Sequence, residues 1–127
     1  MESHNHKLPY DPVIVKVLLA QQYEAQKEML RTQILMKTAE LQLSRQKEQA
    51  VILQKSILLN RKAQFEPGHQ KYLAIEKQMD AEDLFEHAAQ VYVEAIELDL
   101  QGAQQNLENL QSMGVETWFK TQEAKMI

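Results

Sequence analysis

The sequence predicts an all-α fold: a long antiparallel two-helix coiled-coil hairpin with a short C-terminal helical tail. Three observations carry this. From Pro12 to about Gln64 the chain holds no Gly and no further Pro, so nothing interrupts a helix there. Within that stretch, positions taken at alternating spacings of three and four, from Val15 to Gln64, include no charged residue. Such a row marks a helix that lies against another helix. The strong break in the middle, Phe65-Glu66-Pro67-Gly68, falls near the midpoint, where a hairpin must turn.

Residues 1–10 show no periodicity and read as a flexible N-terminal tail. His4 and His6 lie in it, and a solvated pair is expected there in preference to a metal site. Asp11-Pro12 reads as a helix start. The Asp carboxylate accepts from the free amides of the first turn, and Pro at the first helical position gives up an amide that had no partner. Leu8 or Tyr10 is placed to staple that turn.

The first arm is expected over 12–64. Its uncharged row contains Leu18, Met29, Met36, Leu43, Leu53 and Ile57, with Ala25, Ala39 and Ala50 between them. Small residues let helices approach closely, which suits an antiparallel hairpin, and Gln22, Thr32, Gln46 and Asn60 would set register. This row is therefore expected to lie buried between helices. A flanking set, Leu19, Tyr23, Leu30, Ile34, Leu41, Ile52 and Leu58, widens the stripe and implies contact with more than one helix.

The turn is expected at 65–69 and the second arm over 70–112, read as continuous through Asp80-Ala81-Glu82-Asp83, with a restart capped there after a kink as the alternative. Two apolar rows adjoin on that arm. One is Leu84, Ala88, Val91, Ala95, Leu98; the other runs from Phe85 through Tyr92, Ile96 and Leu100 to Leu110. One row suffices for a hairpin, so the other is expected to meet a neighbour. Gly114 reads as the helix stop. The tail, 114–127, sets Val115, Trp118, Phe119 and Met126 on one side. Phe85, Tyr92, Ile96, Leu100, Trp118 and Phe119 are expected to contact another chain, aromatic anchors being common at interfaces.

Net charge is −4, divided unevenly. Residues 1–64 carry ten Lys/Arg and six Asp/Glu, and residues 65–127 carry four and twelve. Two arms of opposite sign attract each other, and the mildly basic half, interleaved with Glu, is unlike a nucleic-acid surface. There is no Cys, which removes disulfides, thiolate metal sites and cysteine nucleophiles. No apolar run approaches the roughly 18 residues of a membrane span. The run Val13 to Ala20 contains Lys16 and lacks the marks of a signal peptide. A cytoplasmic location is expected, or export without a cleaved signal.

Carboxylate-bridged metal sites in helical bundles use Glu-x-x-His pairs. Asp83, Glu86, His87, Glu94 and Glu97 lie close in sequence but form none. There is no phosphate loop, no His-Glu-x-x-His and no nucleophile elbow. No catalytic residue, cofactor, metal or small-molecule substrate is expected. The Cys-free, Gln-rich hairpin with a loose polar start looks broadly like small subunits, exported partners and chaperones of bacterial specialised secretion systems. Exported hairpins with Trp-x-Gly in the turn differ, since the turn here is Phe65-Glu66-Pro67-Gly68. The likeness is one of shape and carries over no functional residue. The expected function is a non-catalytic, self-assembling helical subunit, a homo-oligomer working through coiled-coil contacts. The alternative is a chaperone or adaptor that shields a helix of a partner protein.

Overall fold

The structure, a computed structural model, describes residues 11–125. Helices α1 (Pro12–Lys62) and α2 (Gln70–Lys125) pack against each other as an all-α hairpin, with no strand among the described residues. No described helix is long and apolar enough to cross a membrane. The tail of residues 1–10, with His4, His6 and the staple candidates Leu8 and Tyr10, lies outside the described residues, as does Met126.

Asp11 starts α1 by the expected chemistry. The Val13 amide donates to Asp11 Oδ1 at 2.8 Å, and the Val15 amide to the Asp11 carbonyl at 3.0 Å. That serves first-turn donors which have no intrahelical acceptor. The helix ends at Lys62, two residues before the expected bound. The chain tightens there through Gln64 N–H to the Arg61 carbonyl and Phe65 N–H to the Lys62 carbonyl, both 3.1 Å. Gly68 takes φ 91°, a conformation a side chain would resist. His69 then caps α2: the Lys71 amide donates to its Nδ1 at 3.0 Å. The Phe65 and His69 rings stack 5.4 Å apart, with the Lys71 ammonium 5.6 Å from the Phe65 ring.

Helix α2 runs unbroken past Asp80. At Gly114, φ 76° and ψ 166° leave the helical region. This position was expected to end the helix; instead the chain changes direction and winds on as helix over 115–125. The conformation is one that essentially only Gly adopts.

The chain forms two compact units. The first takes in residues up to Ile34 together with those from Gly102 onward; the second is Leu35–Gln101. In the first unit Leu19, Tyr23, Leu30, Leu110 and Trp118 form the core, with Val15, Leu107, Val115 and Phe119 packed against it. In the second, Leu41, Val93 and Ile96 cluster with Leu100, and Leu58 and Ile75 are buried.

The second unit corrects the expected seam. Its enclosed α1 positions include Lys37, Leu41, Ser44, Glu48, Val51, Lys55 and Leu58, with Glu40 and Lys62 half-buried beside them; on α2 they include Ile75, Met79, Glu86, Ala89, Val93 and Ile96. Both series keep heptad spacing, but the α1 series is not the uncharged row. Met36, Leu43, Leu53 and Ile57 are exposed, as are Leu18 and Met29 in the first unit. Leu41 is 7% exposed and Leu43 53%. Two residues along a helix turn the side chain by about 200°, so the uncharged row lies on the far side of α1. The hairpin closes instead through five of the seven flanking residues, Leu19, Tyr23, Leu30, Leu41 and Leu58, which are larger than the Ala and Thr of the uncharged row. Absence of charge was the wrong criterion for an arm facing an oppositely charged one. Lys37 and Lys55 sit in the closing row because their aliphatic stems pack while their ammoniums reach carboxylates on α2.

Candidate interaction surfaces

Within Leu35–Gln101 the ion pairs between the helices all set a base on α1 against an acid on α2. Lys37 Nζ lies 3.4 Å from Asp99, and 3.6 Å from Glu40 on its own helix; Arg45 lies 3.6 Å from Glu97; Lys55 meets both Asp83 and, at 3.1 Å, Glu86. The charge difference between the halves of the sequence is thus used inside the hairpin. Hydrogen bonding to Asp99, and then the charge of Glu40, raises the Lys37 pKa above the ordinary lysine value. Asp83 and then Glu86 do the same for Lys55. The Tyr92 hydroxyl donates to Glu40 at 2.8 Å, and that bond raises the phenol above its usual range.

The far side of α1 in this unit is unusually neutral. The uncharged row from Met36 to Gln64 is exposed throughout, and so is the adjoining row Leu35, Gln42, Gln49, Ser56, Ala63. No charged side chain stands in either row. An exposed apolar stripe rimmed by polar residues, on a chain one quarter charged, is the usual character of a contact surface. On α2 the row Leu84, Ala88, Val91, Ala95, Leu98 is likewise exposed, with Phe85 and Tyr92 beside it.

Of the expected interface residues, Leu18, Met29, Met36, Leu43, Leu53 and Ile57, expected to lie buried between the helices, are exposed, and so are Phe85 and Tyr92, expected to meet another chain. Ile96, Leu100, Trp118 and Phe119 are otherwise engaged. Ile96 is 2% exposed and packs with Leu41 and Val93, and Leu100 packs on the same cluster. The α2 row expected to face outward is largely the inner one, and the row assigned to the hairpin is the one left bare.

The tail is corrected in the same way. The change of direction at Gly114 lays residues 115–125 back on the first unit. Trp118 is 9% exposed, its ring 5.5 Å from Tyr23 and 6.1 Å from Phe119. Tyr23 in turn donates its hydroxyl to the Leu110 carbonyl at 2.9 Å, in the last turn before the break, where helical donors run out. A cavity of about 330 Å³ beside Trp118 is lined by Gln26, Leu30, Asn106, Leu110, Gln122 and Lys125. It brings together no acid–base or nucleophile pair. Among the described residues no group of three or more His, Cys, Asp or Glu is gathered as a metal site.

Sequence reasoning named the row Leu84, Ala88, Val91, Ala95, Leu98 but not the repeat within it. Its signal was present: Ala81, Ala88 and Ala95 recur at intervals of seven. Comparison of the chain with protein-family models, curated proteins and solved structures finds no significant match.

Proposed function

We propose that the protein is a non-catalytic helical subunit that assembles with other chains through the outer faces of its two arms. One observation supports this above the others. Each arm of Leu35–Gln101 carries two heptad rows on opposite sides, and on α1 the row free of charge is the exposed one. A helix needs one apolar row to close a hairpin. A second, kept clear of Lys, Arg, Asp and Glu over about four heptads, is explained by a second helix.

Light scattering across a concentration series tests it. Leu43→Glu together with Leu53→Glu places carboxylates on the outer face and leaves the closing rows untouched. The wild type should associate and this variant should form smaller assemblies or none, with the same helical circular dichroism. A wild type that stays monomeric alone but gains mass with a co-purified helical protein would favour the adaptor alternative. A wild type monomeric under both conditions would sink the proposal.

A further inference from the structure

On α2, small and large residues alternate along the exposed row. Ala81, Ala88 and Ala95 recur at every seventh position, and Leu84, Val91 and Leu98 stand between them, 73%, 51% and 68% exposed. A row of this kind is complementary to itself when a copy runs antiparallel. Each large side chain then falls opposite a small one, and the two backbones approach closely.

We propose that this row is a two-fold contact between copies of the chain, with α2 packed antiparallel on the partner's α2. The axis passes level with Ala89 and Gln90. Ala88 then faces the partner's Val91, Ala81 the partner's Leu98, and Ala95 the partner's Leu84. The contact is isologous, so each pairing occurs twice. The inference rests on the assembly reading above and names the occupant of its α2 face.

The flanking residues select this register. On one flank Phe85 meets the partner's Tyr92, whose hydroxyl is already engaged by Glu40 while its ring is exposed. On the other flank His87 meets the partner's Glu94, an acceptor for an imidazole N–H. Sliding the copies by seven residues one way sets Glu94 against the partner's Glu94, and sliding the other way sets His87 against the partner's His87. The first shift sets two carboxylates together, and the second takes from each imidazole the carboxylate acceptor it would otherwise meet, so both shifts are disfavoured. The outer face of α1 is a poorer match for the Ala row. Gln46 and Asn60 lie in it, and opposite Leu or Val they would lose water without gaining a hydrogen bond.

The chain has no Cys, so introduced pairs report the register without interference. Ala81→Cys with Leu98→Cys places two thiols too far apart on one helix to bridge within a chain. Mild oxidation of this full-length variant should give a covalent dimer. Ala88→Cys with Leu98→Cys, which marks a register slid by seven, should cross-link far less. A second variant, Ala88→Leu, separates close packing from general stickiness. Ala88 is exposed in the single chain, so thermal unfolding should not change at dilutions where the chain is monomeric. In a close-packed layer the added bulk should weaken association about tenfold or more.

Equal cross-linking of both Cys pairs overturns the proposal, as does association that Ala88→Leu leaves unchanged or strengthens. Leu43→Glu keeps the two ideas apart. If it dissociates the assembly while Ala88→Leu has no effect, the two-fold contact is wrong and assembly through outer faces stands. A wild type that is monomeric at all concentrations removes both.

Discussion

Leu41 and Leu43 are the same residue type, two positions apart on one helix, with opposite surroundings. Leu41 packs on Val93 and Ile96, while Leu43 faces outward. Leu41→Ala should therefore cost about 2–4 kcal/mol, the lost transfer energy plus the cavity left behind. Leu43→Ala should change the stability of the single chain by at most about 0.5 kcal/mol. Urea unfolding at low protein concentration checks both, and equal losses would show that the closing row is misassigned. Gly114 decides more than either. Nothing lies within 4 Å of where its Cβ would stand, so any penalty for a side chain there comes from the backbone alone. Gly114→Ala should cost about 1–3 kcal/mol in the observed conformation. Straightening the helix relieves that strain, so the variant should lift 115–125 off the first unit. Trp118 fluorescence would then shift toward that of a solvated indole; an unchanged spectrum would contradict the assignment of the break.

At the level of the helices, pairing rests on opposite charge as well as on apolar contact. Lys55 lies between Asp83 and Glu86. Lys55→Glu would gather three carboxylates and should lower the melting temperature. Adding Glu86→Lys should restore part of the loss, because it re-forms an opposite pair across the arms. The pH dependence follows from the raised values at Lys37, Lys55 and Tyr92. A group whose pKa is raised on folding contributes stability that is complete below its unfolded value and is lost as pH rises through the folded one. For lysine and tyrosine the unfolded values are about 10.4 and about 10. These contacts should thus stabilise the hairpin evenly through neutrality and fade only at higher pH. Thermal melts should show Lys55→Gln less stable than wild type at neutral pH, with the gap closing under strongly alkaline conditions. A gap constant into that range would mean that Lys55 acts by packing alone.

Over the whole molecule, the two compact units depend on different residues. The tail belongs to the first unit, where Trp118 covers Tyr23 and Leu30. Ending the chain at Met113 should therefore speed hydrogen exchange at amides around Leu19 to Leu30. Amides around Leu41 to Leu58, in the unit that contains no tail residue, should stay as protected as before. Loss of protection throughout would indicate that the tail supports both units.

Much of this architecture is written in local chemistry. The absence of Gly and Pro from 13–66, the Asp11-Pro12 start and the Pro67-Gly68 turn act on the residues beside them, so two helices and one turn follow from the chain alone. Which face of each helix meets the other does not follow from local chemistry. The uncharged row and the flanking row both have heptad spacing, and spacing cannot rank two rows on one cylinder. Packing decides it, because Leu41, Leu58, Val93 and Ile96 fill the interface while Lys37 and Lys55 satisfy carboxylates that only the opposite arm supplies. The tail is a similar case. Gly114 announces a break in the helix, but whether the next turn ends in water or returns depends on the surface left by Leu19, Tyr23 and Leu30. Those residues lie more than eighty positions earlier in sequence, and only the folded chain brings Trp118 to them.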